Sequence, residues 1–381
     1  MFAVASTGAN VASLPIGACL DRYGPRATVL VGSMSCLLGN LLFGLSGPKF
    51  DGYLAGFLML GIGGPFCFIG CLHISTVFPS KSGLIMAAMT GAFDASSSIY
   101  VFFEIIHEKL GGSIHRLFLF YTLVPVIVAL TTMALMPKHS FGKSDVVADG
   151  DEEEEIVAAG VEEPTETQPL LASSPAAPVV STQDLFSKQL KSVEFWGITG
   201  TVCIMMLRLN FYISSVKEQA IDLAGTNNSS TAIDNLLRFF NIALPAAGII
   251  SIPAIGYLLD NFAFSTSLAV LWGFGVAFGV LGLIHSIPLQ YVTISIFVVM
   301  RPLLYTIGND FCAKTFGFHT FGRLYGIMNG IAGVLNLLQY PLNYISLDLM
   351  GGKFWLSNGI LLALAGGGLA GFPAYLARGR V

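Results

Sequence analysis

Runs of about twenty apolar residues recur along most of this chain between short polar interruptions, the length needed to cross a hydrocarbon core of roughly 30 Å as a helix. They fall near 1–20, 28–46, 53–78, 83–105 and 117–136, and then, after a polar gap, near 195–214, 236–259, 266–285, 288–308, 322–346 and 357–377. The pattern predicts an all-α polytopic membrane protein with eleven spans, five before the gap and six after it. Between Pro137 and Ser192 the chain carries an acidic run, Pro164, Pro169, Pro175 and Pro178, and almost no aromatic residue. Such a stretch cannot bury a core. The expected organisation is an N-terminal bundle over 1–136, a disordered cytoplasmic linker over 137–193 and a C-terminal bundle over 194–381.

Composition agrees with the pattern and narrows the function classes. Of 381 residues 54% are hydrophobic and 11% charged, against about 25% charged in a soluble domain, and the mean hydropathy is +0.72. The net charge of −4 divides unevenly, because residues 138–192 hold 11 acids and 4 bases and everything else is mildly basic. No basic stripe with interleaved aromatics points to nucleic acid. The six cysteines lie in or beside apolar runs. Cys67 and Cys71 are one helical turn apart, with no histidine or acid at ligand spacing, so neither a metal nor a cofactor is expected. Neither a phosphate loop nor a nucleophile elbow is present, which argues against an enzyme and against ATP drive.

Lys and Arg between spans set the orientation, since cytoplasmic loops retain positive charge. With the loop after the first span inside, eleven basic residues fall inside and six outside. The loop then placed outside, between the sixth and seventh spans, contains Asn227-Asn228-Ser229-Ser230, two overlapping glycosylation sequons that require that side. In the linker, Glu166 followed by Leu170-Leu171 fits an acidic dileucine signal open to a sorting adaptor. It favours a vacuolar or lysosomal membrane, with the plasma membrane as the alternative.

The two halves repeat each other. Gly17 and Asp21 close the first span within Gly17-Ala18-Cys19-Leu20-Asp21-Arg22-Tyr23-Gly24-Pro25-Arg26, and Gly256 and Asp260 close the seventh, both displaced by 239 residues. A second correspondence relates the segment from Phe78 entering the fourth span to that from Phe321 entering the tenth. Duplicated bundles with a site between them are a transporter architecture. Gly17-x-x-x-Asp21-Arg22-x-Gly24-x-Arg26 resembles the signature loop of the major facilitator superfamily, between the second and third of its twelve helices. Gly63-Gly64-Pro65, Phe93-Asp94-Ala95-Ser96-Ser97-Ser98, Arg208-Leu209-Asn210-Phe211-Tyr212-Ile213 and Arg301-Pro302-Leu303-Leu304-Tyr305 together resemble the sodium-independent large-neutral-amino-acid facilitators and their fungal relatives. The resemblance implies two pseudo-symmetric bundles and a monomeric carrier of a small-molecule substrate. It also implies that the first span is the family's second helix, that the gap joins the sixth and seventh, and that the first helix is absent from this chain.

In that arrangement Asp21 is expected against the N-terminus of the helix opening at Gly322-Arg323, where free N–H groups favour an anion. Asp260 is expected in the mirrored place near Ser82-Gly83. These contacts would latch the cytoplasmic side shut, with Arg22 and Arg26 pairing with Asp21 or with lipid phosphate. The second copy carries Asn261 and Phe262 in place of the arginine and the aromatic-Gly pair, which predicts a weaker latch.

Ionisable residues inside spans should face the protein interior or a wet cavity. Three stand out: Asp94, Arg208 and Arg301. For a zwitterionic amino acid, Asp94 with Ser96 and Ser97 would meet the ammonium, and Arg208 or Arg301 with Asn210 and Tyr305 the carboxylate. Equally open is a bridge in which Asp94 pairs with an arginine across the halves. Asn329, Asn336, Gln339 and Asn343 suggest a cavity-lining or interhelical stripe. Gly56, Gly61, Gly63 and Gly64, and Gly366-Gly367-Gly368 with Gly371, suggest close-packed helix faces. The expected function is an alternating-access carrier of small organic solutes, most simply neutral amino acids. A proton-coupled carrier of another metabolite is the alternative, or, given the missing helix, a truncated sensor or scaffold.

Overall fold

The computed structural model describes residues 9–47, 50–137, 155–156, 180–224 and 230–378. Asn227 and Asn228, and the sorting residues Glu166, Leu170 and Leu171, lie outside them. The helices are α1 Ser13–Leu45, α2 Tyr53–Leu72, α3 Ser82–Ala95, α4 Ser98–Leu110, α5 Ile114–Tyr121, α6 Leu123–Leu135, α7 Thr182–Leu190 and α8 Val193–Ala224. They continue as α9 Ser230–Ile250, α10 Ile252–Asn261, α11 Phe264–Gly282, α12 Ile287–Phe316, α13 Phe321–Leu335, α14 Gln339–Tyr344, α15 Trp355–Ala363 and α16 Gly371–Arg378.

Among the described residues nine helical stretches are long and apolar enough to cross a membrane, where the sequence predicts eleven spans. Two causes account for the difference. The expected spans 1–20 and 28–46 run into a single helical stretch, Ala9–Leu45, because the loop between them shrinks to one residue. Gly24 takes φ 80°, ψ 174° inside α1, a left-handed φ that glycine adopts freely, and Pro25 opens the second arm, where its missing N–H costs nothing. The span expected at 322–346 is realised in pieces: α13, a 3₁₀ segment Asn336–Leu338, α14, and a π segment Ile345–Leu349. Pro341 sits among them and supplies no N–H to the preceding turn.

The two arms of α1 pack on different partners. The first runs antiparallel to α13, and the second antiparallel to α2, with Gly32, Gly39, Gly56 and Gly63 at the crossing. An added Cβ on Gly63 would sit 2.6 Å from the Cys36 sulfur. Of the other glycines expected to close-pack, Gly61, Gly367, Gly368 and Gly371 meet nothing within 4 Å. The N-terminal bundle joins α1 to α2, α5 and α6; the C-terminal bundle joins α8, α9, α11, α12, α13 and α15. The bundles meet where α1 touches α13 and where α3 touches α9, α10 and α12.

The dense core lies in the C-terminal bundle. Tyr212 packs against Phe278 and Phe297 at ring distances of 5.0 and 4.9 Å. Leu54, Phe102, Phe120, Leu130 and Ile250 are all more than half exposed, the inverted arrangement of a protein whose outer solvent is lipid. The expected linker is not featureless at its end: Glu155 and Ile156 pair with Ser181 and Val180, and α7 follows. Leu190 and Phe186 pack α7 against the core, and Gln189 donates to the Phe316 carbonyl at 3.0 Å while accepting from the Thr320 hydroxyl.

Candidate functional site

Two sites lie on the surface where the bundles meet. The first is the pair of carboxylate contacts that the repeat predicts. Asp21 accepts from the backbone N–H of Gly322 and of Arg323, both at 2.8 Å, and Arg323 Nε lies 3.7 Å from the same carboxylate. Asp260 accepts from the N–H of Gly83 at 2.7 Å and of Leu84 at 3.1 Å. These are the unsatisfied donors of a helix N-terminus, met by an anion. The contacts preserve the displacement of 239 on both sides, since Asp21 and Asp260 are so related, and Gly83 and Gly322 likewise.

Glycine permits the approach. An added Cβ on Gly17 would collide with the Gly322 carbonyl, one on Gly83 would lie 2.6 Å from Asp260 Oδ1, and one on Gly256 would lie 2.6 Å from the Leu84 side chain. The loop arginines sit differently from expectation. Arg26 donates to the Met133 carbonyl at the end of α6, and Arg22 lies over the ring of its neighbour Tyr23 at 5.4 Å. In the second copy, where the arginine is missing, α12 brings a cation. Lys314 Nζ is 2.9 Å from the buried Asp310 carboxylate and donates to the Leu259 carbonyl at 3.1 Å, beside Asp260. The signal for it was an acid four residues before a lysine at the end of an apolar helix.

The second site is a cavity of about 350 Å³ between the bundles. Phe68, Phe93, Asp94 and Ser97 line it from one side, and Met206, Asn210, Arg301, Tyr305 and Asn329 from the other. Asp94 and Arg301 form an ion pair across it, Asp94 Oδ1 to Arg301 Nη1, at 3.2 Å. The carboxylate is 2% exposed and the guanidinium side chain 22%. Arg301 also lies over the Tyr305 ring at 5.9 Å. Among the described residues Asp94 Oδ2 and Asn210 Nδ2, both buried, meet no hydrogen-bond partner. Most of the remaining wall surface is apolar, with Phe68 and Phe93 4.8 Å apart.

Five of the seven residues expected to bind substrate therefore line one cavity: Asp94, Ser97, Asn210, Arg301 and Tyr305. Arg208 does not. It is two residues from Asn210, about 200° around the helix, and is buried on the far side of α8, where it donates to the Gly275 carbonyl at 2.6 Å and lies over Phe278 at 4.9 Å. Gly279 leaves the room for it, since a Cβ there would collide with the guanidinium. Ser96 is likewise outside the lining: at the end of α3 the cavity face is Thr90, Phe93, Asp94 and Ser97, and the Ser96 hydroxyl donates to the Phe93 carbonyl at 2.6 Å. Thr90 and Asn309 were not anticipated. They meet across the bundles, Asn309 Nδ2 to Thr90 Oγ1, at 3.4 Å, and nothing in their local sequence separates them from ordinary polar residues in a span.

Comparison with known proteins supplies the rest. The family model described as Major Facilitator Superfamily matches residues 1–340. Protein FMP42 of Saccharomyces cerevisiae is 31% identical over 89% of this chain and 76% of its own length. Equilibrative nucleobase transporter 1 of Bos taurus is 24% identical over 90% and 76%. Large neutral amino acids transporter small subunit 3 of Homo sapiens is 22% identical over 98% and 81%. In three dimensions the chain is similar to the crystal structure of the transporter FucP in the outward conformation, with TM-score 0.68 at 14% identity over 98% of this chain and 88% of that one.

Proposed function

The chain belongs to the major facilitator superfamily, and from that premise we propose that it carries neutral amino acids by alternating access, the two bundles rocking about the cavity between them. One observation carries the substrate class: a carboxylate and a guanidinium 3.2 Å apart, one from each bundle, in a cavity otherwise mostly apolar. A zwitterion supplies the complement of both. Its ammonium takes the place of Arg301 at Asp94 and its carboxylate takes the place of Asp94 at Arg301, so each buried charge keeps a partner throughout. An apolar side chain then rests against Phe68, Phe93 and Ile69. A solute with only one of the two charges would leave the other protein charge unpaired. The empty carrier holds its bundles together through the Asp94–Arg301 pair, and the loaded carrier does so through the solute.

Asp21 and Asp260 latch the side of the molecule that the distribution of Lys and Arg assigns to the cytoplasm. Breaking both helix-terminus contacts is the step that opens it. The relative named for large neutral amino acids supports this reading; the one named for nucleobases makes a different solute the outcome to test against. The linker dileucine favours a vacuole-like membrane. The deciding assay is uptake of labelled leucine and phenylalanine into proteoliposomes, beside empty liposomes and the variants Asp94→Asn and Arg301→Gln. Uptake in the wild type and its loss in both variants is expected, with no dependence on an imposed pH gradient. Concentrative uptake driven by that gradient would replace facilitation by proton coupling, and absence of flux would sink the amino-acid reading.

A further inference from the structure

Beneath the ion pair, a second polar contact crosses between the bundles, and the exchange of charges with a zwitterion leaves it unused. Asn309 Nδ2 of α12 donates to Thr90 Oγ1 of α3 at 3.4 Å. Thr90 lines the cavity, and Asn309 lies beyond that lining; the two are 1% and 0% exposed. Along α3, Thr90 is about one turn from Asp94 and about two turns from Gly83, where the Asp260 carboxylate docks. The bond therefore stands between the cavity and the latch side. Past it, Met86 and Ala87 of α3 and Cys312 and Ala313 of α12 belong to one buried apolar cluster.

The asparagine is only half satisfied. Its bond to Thr90 joins two neutral groups at the long end of hydrogen-bonding distance, weak enough to be broken and remade at every turnover. Among the described residues its other amide atom, Asn309 Oδ1, meets no partner. A buried carbonyl without a donor is costly in an apolar layer, and water would satisfy it as soon as the seam parted. Asn309 thus does two opposed things: Nδ2 ties the floor of the cavity shut, and Oδ1 favours the open, wet state. A leucine of similar size would do neither, and packing alone would then hold the seam closed.

We propose that Thr90 and Asn309 form the gate between the cavity and the latch side. Bonded, they close the cavity floor; parted, they line the path by which solute leaves. The gate rests on the alternating-access reading and is independent of which solute is carried.

Ser97 lines the cavity above this floor, so Ser97→Cys, in a protein otherwise free of cysteine, reports access to it. In sealed vesicles of one orientation, an impermeant maleimide is applied from the latch side or from the opposite side. Thr90→Val removes the acceptor and strands the whole Asn309 amide when the floor is closed. Latch-side labelling should rise about fivefold, with no rise from the opposite side, and Thr90→Ser, which keeps the hydroxyl, should label as the parent does. Asn309→Leu breaks the same bond but also removes the stranded carbonyl, so its latch-side labelling should fall about threefold below the parent's. A tie that only holds the structure together would raise labelling in both variants, and that result overturns the gate. Labelling unchanged in Asn309→Leu overturns it too, even where Thr90→Val does not fold. Asp21→Asn is the control for the reading beneath it: unchanged labelling there fails the latch, while the gate is still judged by its own two variants. A rise in Asp21→Asn with neither gate variant shifted fails the gate alone, and absence of leucine flux in the parent fails only the choice of solute.

Discussion

At the residue scale the ion pair in the cavity is asymmetric, and the asymmetry is testable. Asp94 is nearly inaccessible, whereas about a fifth of the Arg301 side chain is exposed. Removing the arginine strands a buried carboxylate; removing the carboxylate leaves a cation that still reaches the cavity. Arg301→Gln should therefore destabilise the protein more than Asp94→Asn, by up to about 3 kcal/mol, the scale of an uncompensated buried charge. The double variant should recover much of that loss while remaining unable to transport. Thermal midpoints in detergent, read beside flux, form the cycle, and equal losses in the two single variants would contradict it. Which ionisable residues mattered was legible from their cost in an apolar run. Where each one pointed was not, because Arg208 and Asn210 are two residues apart and face opposite sides of one helix, and only the neighbours, Gly275 and Phe278 against an open cavity, decide what each side means.

At the element scale the structure builds one contact twice. A helix end delivers a carboxylate to the first turn of a helix in the other bundle, through glycines that let the backbones meet. The repeat made both contacts legible, since spacing and residue type are local properties of the sequence. Arg323 was legible with its helix end and does lie beside Asp21, whereas Lys314 was not, because it reaches the Leu259 carbonyl through space from a helix outside the motif. Asp21 receives two equal short hydrogen bonds and a guanidinium, while one of the two bonds to Asp260 is longer. Asp21→Asn should therefore open the latch more than Asp260→Asn. A loss of about 1 kcal/mol in helix-terminus stabilisation corresponds to a roughly fivefold rise in labelling of Ser97→Cys, in a protein otherwise free of cysteine, by a reagent confined to the latch side. Equal labelling of both variants and the parent would remove the latch role.

At the scale of the whole molecule, two bundles share a cavity that belongs to neither, and α7 ties the end of the intervening segment to the turn between α12 and α13 through Gln189. Arg323, paired with Asp21, also lies over Phe186 of that helix at 5.9 Å. The destination of the molecule is a separate question from its mechanism. If Leu170 and Leu171 are a sorting address, replacing both with Ala should move a tagged protein to a different membrane with its uptake activity intact; an unchanged location would refute the address.

The sequence by itself determined the solvent, the helical class, the duplication and which two carboxylates meet a helix N-terminus in the other bundle. Each of these is written in spacing along the chain: about twenty apolar residues per span, four residues from Gly to Asp, and 239 between copies. Only the tertiary structure decided that Asp94 pairs with Arg301 instead of Arg208, that the loop at Gly24 is a single kinked residue, and that Lys314 reaches the Leu259 carbonyl beside Asp260. Those outcomes depend on the rotation of one helix against another, and in a chain apolar on nearly every face the pattern of residues does not encode that rotation. Packing of specific side chains sets it.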